Sequence, residues 1–322
     1  MKSDVYILAS DVATGLAPFC ALSAALAEAG ISGYQSRTMD GCRTSVVTCP
    51  ASYINSEGTQ RLFDLLDITL GNLLSQIPKL LKPIPLMLNL PAGVQRQHAV
   101  DWLNGSGKES EVTLLAVLQR SSSAFLSETL QNIKSRDALL ALAVDSPLMR
   151  IEEYRPTLLH SRDTPWGVIC GEGAAGVVLA KPNTLENLKV SASHKLDWFG
   201  YASAKEGAPL RKLLRYVDAQ PQAVKVAITD RPLSRPENEE MGMAFTYSSA
   251  ISARSCQHFM TQEYWGDLGQ ASALASLSLA TQLSKKNASM VYGEVKTQPS
   301  QRAMTLQFDS DGGRAISILS PQ

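Results

Sequence analysis

Three runs of apolar residues, almost free of polar interruption, mark the first half of the chain: Ile84 to Leu90, Val112 to Leu118 and Leu139 to Val144. A continuous apolar stretch of strand length, closed by proline or polar residues, predicts a strand buried on both faces. Between the second and third runs lies SSSAFLSETLQNIKS, a polar-capped helical stretch. Strand, helix, strand in that order predicts a right-handed crossover within a parallel sheet. Leucines at Leu62, Leu65, Leu66, Leu70, Leu73 and Leu74 form one stripe of a helix running from Gln60 to Ile77, which Pro78 ends. Upstream, Val5 to Ala9 predicts a strand. A loop with Thr14-Gly15 and Pro18 follows, then an alanine- and leucine-rich helix that stops at Gly30.

The second half repeats the plan. It offers a strand region from Leu188 to Trp198, a short helix from Leu210 to Val217, a buried strand from Val224 to Ile228 and a helix-compatible stretch from Asn238 to Ala253. GDLGQASALASLSLATQLSKK then reads as a small-residue loop running into a helix, and Ser289 to Val295, Met304 to Phe308 and Ala315 to Leu319 as closing strands. The shared order predicts an internal pseudo-repeat of structure rather than of residues. Its boundary falls near Lys181-Pro182-Asn183, giving halves 1–181 and 182–322 that share a packed interface.

Composition narrows the function classes. With 322 residues, 44% hydrophobic and 19% charged, the chain is of ordinary globular type. Thirty basic and thirty acidic side chains cancel, so no field draws nucleic acid or an anionic membrane. The five cysteines, Cys20, Cys42, Cys49, Cys170 and Cys256, are odd in number and lack C-x-x-C spacing. That usage points to a reduced compartment, the cytoplasm, rather than to a disulfide frame or a zinc site. Asp4 and Asp11 interrupt the apolar opening, which reads as a strand and helix rather than an export signal, and no stretch approaches the ~18 uncharged apolar residues of a membrane helix.

GEGAAG, residues 171 to 176, fits the letters of the dinucleotide fingerprint. The fingerprint needs a helix leading out of the glycines, because the helix N-terminus holds the pyrophosphate. Here Val177, Val178, Leu179 and Ala180 follow, then Pro182, which predicts strand, turn, strand and excludes the nucleotide reading.

The motifs taken together resemble the β-ketoacyl synthase branch of the thiolase-like superfamily. DVYILASDVATGLAPFCALSAALAEAGISGY resembles its opening strand, loop and helix, and LALAVDSPLMRIEEY its central buried strand and the loop beyond. GVICGEGAAGVVLAKP is similar to its Gly-Glu-Gly-Ala hairpin, GDLGQASALASLSLA to its Gly-His-Thr-Gly-Ala-Ala-Ser-Gly segment, and FDSDGGRAISIL to its closing Gly-Gly hairpin. The order and rough spacing of all five match over nearly the whole chain. The resemblance implies an α/β thiolase-like fold: two βαβαβαββ-like halves related by a pseudo-twofold axis, stacked in five α/β/α/β/α layers and commonly assembled as a homodimer. It makes Gly171, Gly173 and Gly176 architectural, as a tight turn where missing Cβ atoms permit positive φ and close packing.

The resemblance also implies a chemistry, which the residues do not carry. The family's reaction uses a cysteine at a helix N-terminus, where the dipole favours a thiolate, and two histidines. At the nucleophile position the register places Gln119, within one or two residues, and no cysteine lies between Cys49 and Cys170. A glutamine there resembles the substitution in chain-length-factor and decarboxylase relatives, which cannot form an acyl-enzyme. The first histidine should follow VKVAI, where TDRPLSRPENEEMG has none; the second should follow Gly266, where Asp267 stands. An ionised aspartate cannot donate a hydrogen bond to an oxyanion. Asp311 replaces the gating phenylalanine before Gly312-Gly313.

Other candidates read as structure first. Ser121, Ser122 and Ser123 suit a helix N-cap, with Ser121 or Ser122 as an alternative nucleophile and Asp267 as its base. His98, His160, His194 and His258 are scattered without metal-ligand spacing, so no metal and no cofactor are expected. Asp230 with Glu237, Glu239 and Glu240 reads as a solvated charge run. Gln119, Asp230 and Asp267 are the three polar groups that the resemblance brings to one pocket, with Gly266 and Gly269 beside it. The expected protein is a degenerate, ketosynthase-like binding or assembly factor rather than an enzyme. It resembles the short thiolase-like accessory proteins encoded beside type VI secretion effector and spike genes. Its expected partners are a second subunit, as homodimer or heterodimer, and a protein such as a secretion effector or adaptor. The alternatives are an acyltransferase, decarboxylase or β-ketoacyl synthase-type enzyme with a shifted serine, and a non-catalytic, chain-length-factor-like partner of an active synthase.

Overall fold

A computed structural model describes residues 2–40, 43–206, 208–219, 224–230, 235–249, 256–285, 288–291, 294–297 and 301–322. Cys42, the loop 231–234 and the end of the stretch predicted helical to Ala253 lie outside the described residues.

The first part of the chain forms β1 (Lys2–Thr14), α1 (Cys20–Glu28), β2 (Gln35–Arg37), β3 (Val46–Cys49), α2 (Gly58–Gln76) and β4 (Ile84–Asn89). It continues through α3 (Arg96–Gly105), β5 (Val112–Leu118), α4 (Ser122–Asn132), β6 (Ala138–Asp145), β7 (Cys170–Gly171) and β8 (Gly173–Ala180). The remainder forms α5 (Pro182–Leu188), β9 (His194–Ala202), α6 (Pro209–Asp218), β10 (Val226–Thr229), α7 (Arg235–Tyr247) and β11 (Gln257–Met260). It closes with α8 (Gln262–Trp265), α9 (Ser272–Leu283), β12 (Ala288–Val291), β13 (Glu294–Thr297), β14 (Ala303–Phe308) and β15 (Arg314–Pro321).

The main strands lie in the order β11-β10-β14-β15-β9-β1-β8-β6-β4-β5. This is one arrangement used twice: β5-β4-β6-β8-β1 and β11-β10-β14-β15-β9 have the same sequence of roles, three parallel strands followed by an antiparallel one and the first strand of the set. β1 and β9 pair antiparallel and join the two sets.

Alternation along the strands shows how the layers stack, because successive side chains point to opposite faces. On β6, Leu139, Ala141 and Ala143 join a core with α4 and α9, while Leu140, Leu142 and Val144 pack with α2 and α3. On β14, Ala303 faces the α4/α9 core and Met304, Leu306 and Phe308 face α6 and α7. The layers are therefore α2/α3, sheet, α4/α9, sheet, α6/α7, the thiolase-like arrangement. The α2 leucine stripe is buried as predicted, each such side chain contributing about 1.5–3 kcal/mol. α9 is buried along every residue except Gln282. Its serines and alanines let both sheets approach, and the Ser278 hydroxyl donates to its own helix at Leu274 O (2.9 Å) while lying 3.2 Å from Asp11 O on β1.

Several expectations need correction. β1 extends well beyond Val5 to Ala9, because it pairs with β8 along one stretch and β9 along another. The region from Leu188 begins as the end of a helix, and the strand starts only at His194. Ser289 to Val295 is not one closing strand: β12 and β13 form a separate two-stranded sheet. Most importantly, GEGAAG is not a hairpin turn. β7 pairs parallel with β3, whereas β8 pairs with β1 and β6, so the chain passes from one sheet to another through Glu172. Among the described residues, no helix is long and apolar enough to cross a membrane.

Candidate functional site

The carboxyl ends of β5, β6, β10 and β14 and the start of α9 open on one cleft of about 670 Å3. Gln119, Ser121, Ser122, Asp230, Asp267, Gly269 and Asp311 line it, so residues far apart in the chain meet there. Asp145, Arg150, Gln270 and Asp309, which the sequence did not single out, line it too.

The start of α4 forms one wall. Ser121 occupies the N-cap position but makes no capping bond. The cap comes from the β14–β15 turn: Asp309 Oδ1 accepts from the Ser123 backbone N–H (3.1 Å), the Ser122 hydroxyl (2.8 Å) and the Ser123 hydroxyl (3.0 Å). A carboxylate thus sits where the helix dipole favours an anion. Burial raises the pKa of Asp309, opposed by these hydrogen bonds. The carboxylate that meets Ser122 is therefore Asp309, which corrects the expected pairing with Asp267. Gln119 is turned toward the neighbouring loop, its Nε2 donating to Val94 O (2.8 Å) and Pro91 O (3.3 Å).

Across the cleft stand more acids. Asp230 is buried at the end of β10, and its Oδ1 accepts the Phe308 N–H at 2.8 Å. Burial, then the charge of Asp309, pushes its pKa well above the ordinary carboxylate value. It does not form a run with the α7 glutamates, since Glu240 pairs with Arg314 at 2.8 Å. Asp267 accepts the Gly269 N–H at 2.8 Å, and its pKa is pushed up to about 6 by burial, with Asp145 and Glu237 adding to the rise. Asp145 closes β6, where it accepts from Arg150 Nη2 (2.9 Å), Ser146 N (2.8 Å) and Gln270 N (3.0 Å). Gly269, at φ +50°, leaves the space that the Asp145 carboxylate fills.

The glycines sit where a side chain would meet its neighbours, without the positive φ expected of them. None of Gly171, Gly173 and Gly176 has a positive φ. A Cβ on Gly171 would overlap Trp265 O, one on Gly173 would lie 2.5 Å from Ala13 O, and one on Gly176 would lie 2.5 Å from Leu73 Cδ1. Positive φ is found instead at Gly266 (+70°) and Gly312 (+85°). Gly313 lies in the closing turn, where its N–H is held by Asp311 Oδ1 at 2.9 Å. Glu172, fully buried between its glycines, accepts from Arg61 Nη2 (2.5 Å), Arg61 Nε (2.8 Å), Ala51 N (2.6 Å) and the Ser146 hydroxyl (3.3 Å).

The described cysteines and histidines stay outside this cleft. Cys20 opens α1, but burial and the nearby Asp11 raise its pKa well above the thiol value. Burial pushes Cys49 and Cys170 to about 12 and Cys256 to about 11. His194 is buried against the Ser284 hydroxyl at 2.8 Å, and burial lowers its pKa to about 4. Among the described residues, no group of three or more His, Cys, Asp or Glu could hold a metal ion.

No protein-family model and no curated protein matches this chain. Solved structures match over its whole length. A chain from the complex of a type II polyketide synthase acyl-carrier protein with its ketosynthase bound to the hexaketide gives a TM-score of 0.74 at 9% identity, covering 100% of both chains. The ishigamide ketosynthase/chain length factor gives 0.69 at 13% identity, over 98% of this chain and 99% of that one. The ketosynthase from module 6 of the bacillaene synthase of Bacillus subtilis 168 gives 0.69 at 11% identity, over 99% of this chain and 72% of that one. At such identities the likeness establishes the fold, a thiolase-like ketosynthase architecture.

Proposed function

We propose that this is a degenerate ketosynthase-fold protein that works by binding, as an assembly or accessory factor, and does not carry a covalent acyl group. One observation supports this reading above the rest: the N-terminus of α4, where the resemblance would seat a thiolate, is capped by the Asp309 carboxylate. The cleft offers carboxylates, serines, amides and the guanidinium groups of Arg120, Arg150 and Arg155. Gln119 and Asp267 stand as relics of the reactive positions. The partner is a protein. β5 is an edge strand whose apolar side chains are largely half-buried, and an apolar edge of this kind is completed by a strand from a second subunit, alike or different. In the finer form of this reading, halves 1–181 and 182–322 act as one binding unit in the cytoplasm and help load or stabilise a type VI secretion effector.

A second reading has one observation in its favour. Ser122 Oγ lies 2.8 Å from Asp309 Oδ1, within the reach a serine nucleophile needs from its base. Incubation with malonyl- and acetyl-thioesters, followed by intact mass measurement and assay of released carbon dioxide, separates the two. The expected result is unmodified protein and no carbon dioxide. A stoichiometric acyl adduct on Ser121 or Ser122 would overturn the accessory reading. Co-purification with a cysteine-bearing synthase would direct it toward a role like that of a chain-length factor.

A further inference from the structure

The two sets of strands fill their outer layers differently. In the first, the α2/α3 face of β4 carries Ile84, Leu86 and Leu88, and α3 presses Ala99 and Leu103 into the same core. By chain order and sheet position β10 is the counterpart of β4, and α7 that of α3. On β10 the period of two brings Ala227 and Thr229 to the α6/α7 face, because Val226 and Ile228 join the core around α9. Short side chains therefore stand where the first set has leucines.

A cavity of about 230 Å3 lies over them. Leu306 of β14 and His258 and Met260 of β11 extend its floor, and Met241 and Phe245 of α7 close it from above. It shares no lining residue with the cleft. Protein interiors leave few voids larger than a water molecule, and a dry apolar cavity of about 150 Å3 is already enough to take up benzene. Among the described residues no carboxylate, ammonium or guanidinium lines this one, and its polar side chains are Thr229 and His258. A water molecule needs several polar partners and finds few there. Thr229 is buried, whereas His258 is exposed and has its ring 5.1 Å from that of Phe245, which puts the rim at this pair. Met241 and Met260 are unbranched and adapt to the outline of an apolar guest.

We propose that this cavity binds a small uncharged apolar ligand, a single ring or a short alkyl chain, which enters past His258 and Phe245. The accessory reading neither supports this site nor depends on it.

Magnetic resonance of the intact protein, with its methionine methyl groups isotopically labelled, tests the site with benzene, hexanol and glycerol as probes. Benzene or hexanol shifts the Met241 and Met260 signals to saturation, and glycerol shifts neither. Met87, in the α4/α9 core, and Met149, on the surface, stay in place. Tighter binding of benzene assigns the ligand to a ring; tighter binding of hexanol assigns it to an alkyl chain. Ala227→Leu restores the bulk that β4 carries, and it weakens binding about tenfold or more while melting no lower than the wild type. Full affinity in Ala227→Leu overturns the proposal. So does the absence of any shift at Met241 and Met260, an equal shift at Met87 and Met149, or an equal response to glycerol. If Ala227→Leu does not fold, the wild-type methyl shifts decide alone.

Discussion

Glu172 and Asp309 are both buried acids that reach segments far away in sequence, and they differ in what they leave unmet. Glu172 has donors on both oxygens, including a two-point contact with Arg61, and Arg61 in turn donates to Ile54 O (2.6 Å) and Ala51 O (2.8 Å). Asp309 crowds three donors onto one oxygen, leaves the other bare and has Asp230 as a like-charged neighbour. A completed set of partners marks a clamp that holds a loop in place; an uncompleted one, with a like charge beside it, marks a contact that holds less firmly.

That contrast can be broken by measurement. The largest effect is expected from Glu172→Ala or Arg61→Ala. Removing one side of a buried ion pair strands the other, at about 3–5 kcal/mol in urea unfolding. Asp309→Ala loses the α4 cap and leaves the buried Ser122 and Ser123 hydroxyls without their acceptor, but relieves the repulsion with Asp230, so it should cost less, at about 1–2 kcal/mol. Equal costs at the two sites would mean that Asp309 is also a clamp, and the distinction would fail. Next come the glycines. Gly171→Ala forces a methyl group against backbone oxygen, while Gly176→Ala meets mainly the ends of Leu73 and Leu142. The first should cost more within the usual overpacking range of about 1–3 kcal/mol, and an equal loss would show that the backbone at Trp265 gives way.

The smallest net effect on the wild type is in the pH dependence, where two groups pull in opposite directions and partly cancel. His194 has a folded pKa of about 4 against an ordinary 6.5, so its contribution is present above pH 6.5 and is lost as pH falls toward 4. Asp267 has a folded pKa of about 6 against 3.8, so its contribution is present below pH 3.8 and is lost as pH rises through 6. Thermal melts from pH 4 to 7 should therefore show His194→Asn with a smaller acid-side loss than the wild type, and Asp267→Asn with a smaller loss between pH 4 and 6. Parallel curves for all three proteins would contradict both assignments.

The fold was legible wherever burial leaves a one-dimensional trace. β4 and β6 read as near-continuous apolar runs because covered parallel strands tolerate few polar residues, whereas β5, expected to be buried on both faces, is an edge strand left largely half-buried. α3 left no such trace, since Arg96–Gly105 buries only Ala99 and Leu103. The cleft was legible in part. Gln119, Asp230 and Asp267 do meet, but Asp309 was hidden in FDSDGG, a stretch that reads as an ordinary polar turn. Its bond to Ser123 spans 186 positions, and no local pattern encodes a contact of that range. The GEGAAG glycines stand where a Cβ would meet its neighbours, yet the hairpin was wrong because nothing in the letters shows that β7 and β8 belong to different sheets.

α9 has almost no outward side: its serines and alanines are pressed between two sheets. A longer side chain there would disturb both walls together. The cleft at its leading end is open, and side chains on its rim can change without pressing on either sheet. A scaffold so divided can change the residues at its opening and keep its shape, which makes an inert core the condition for a changeable mouth.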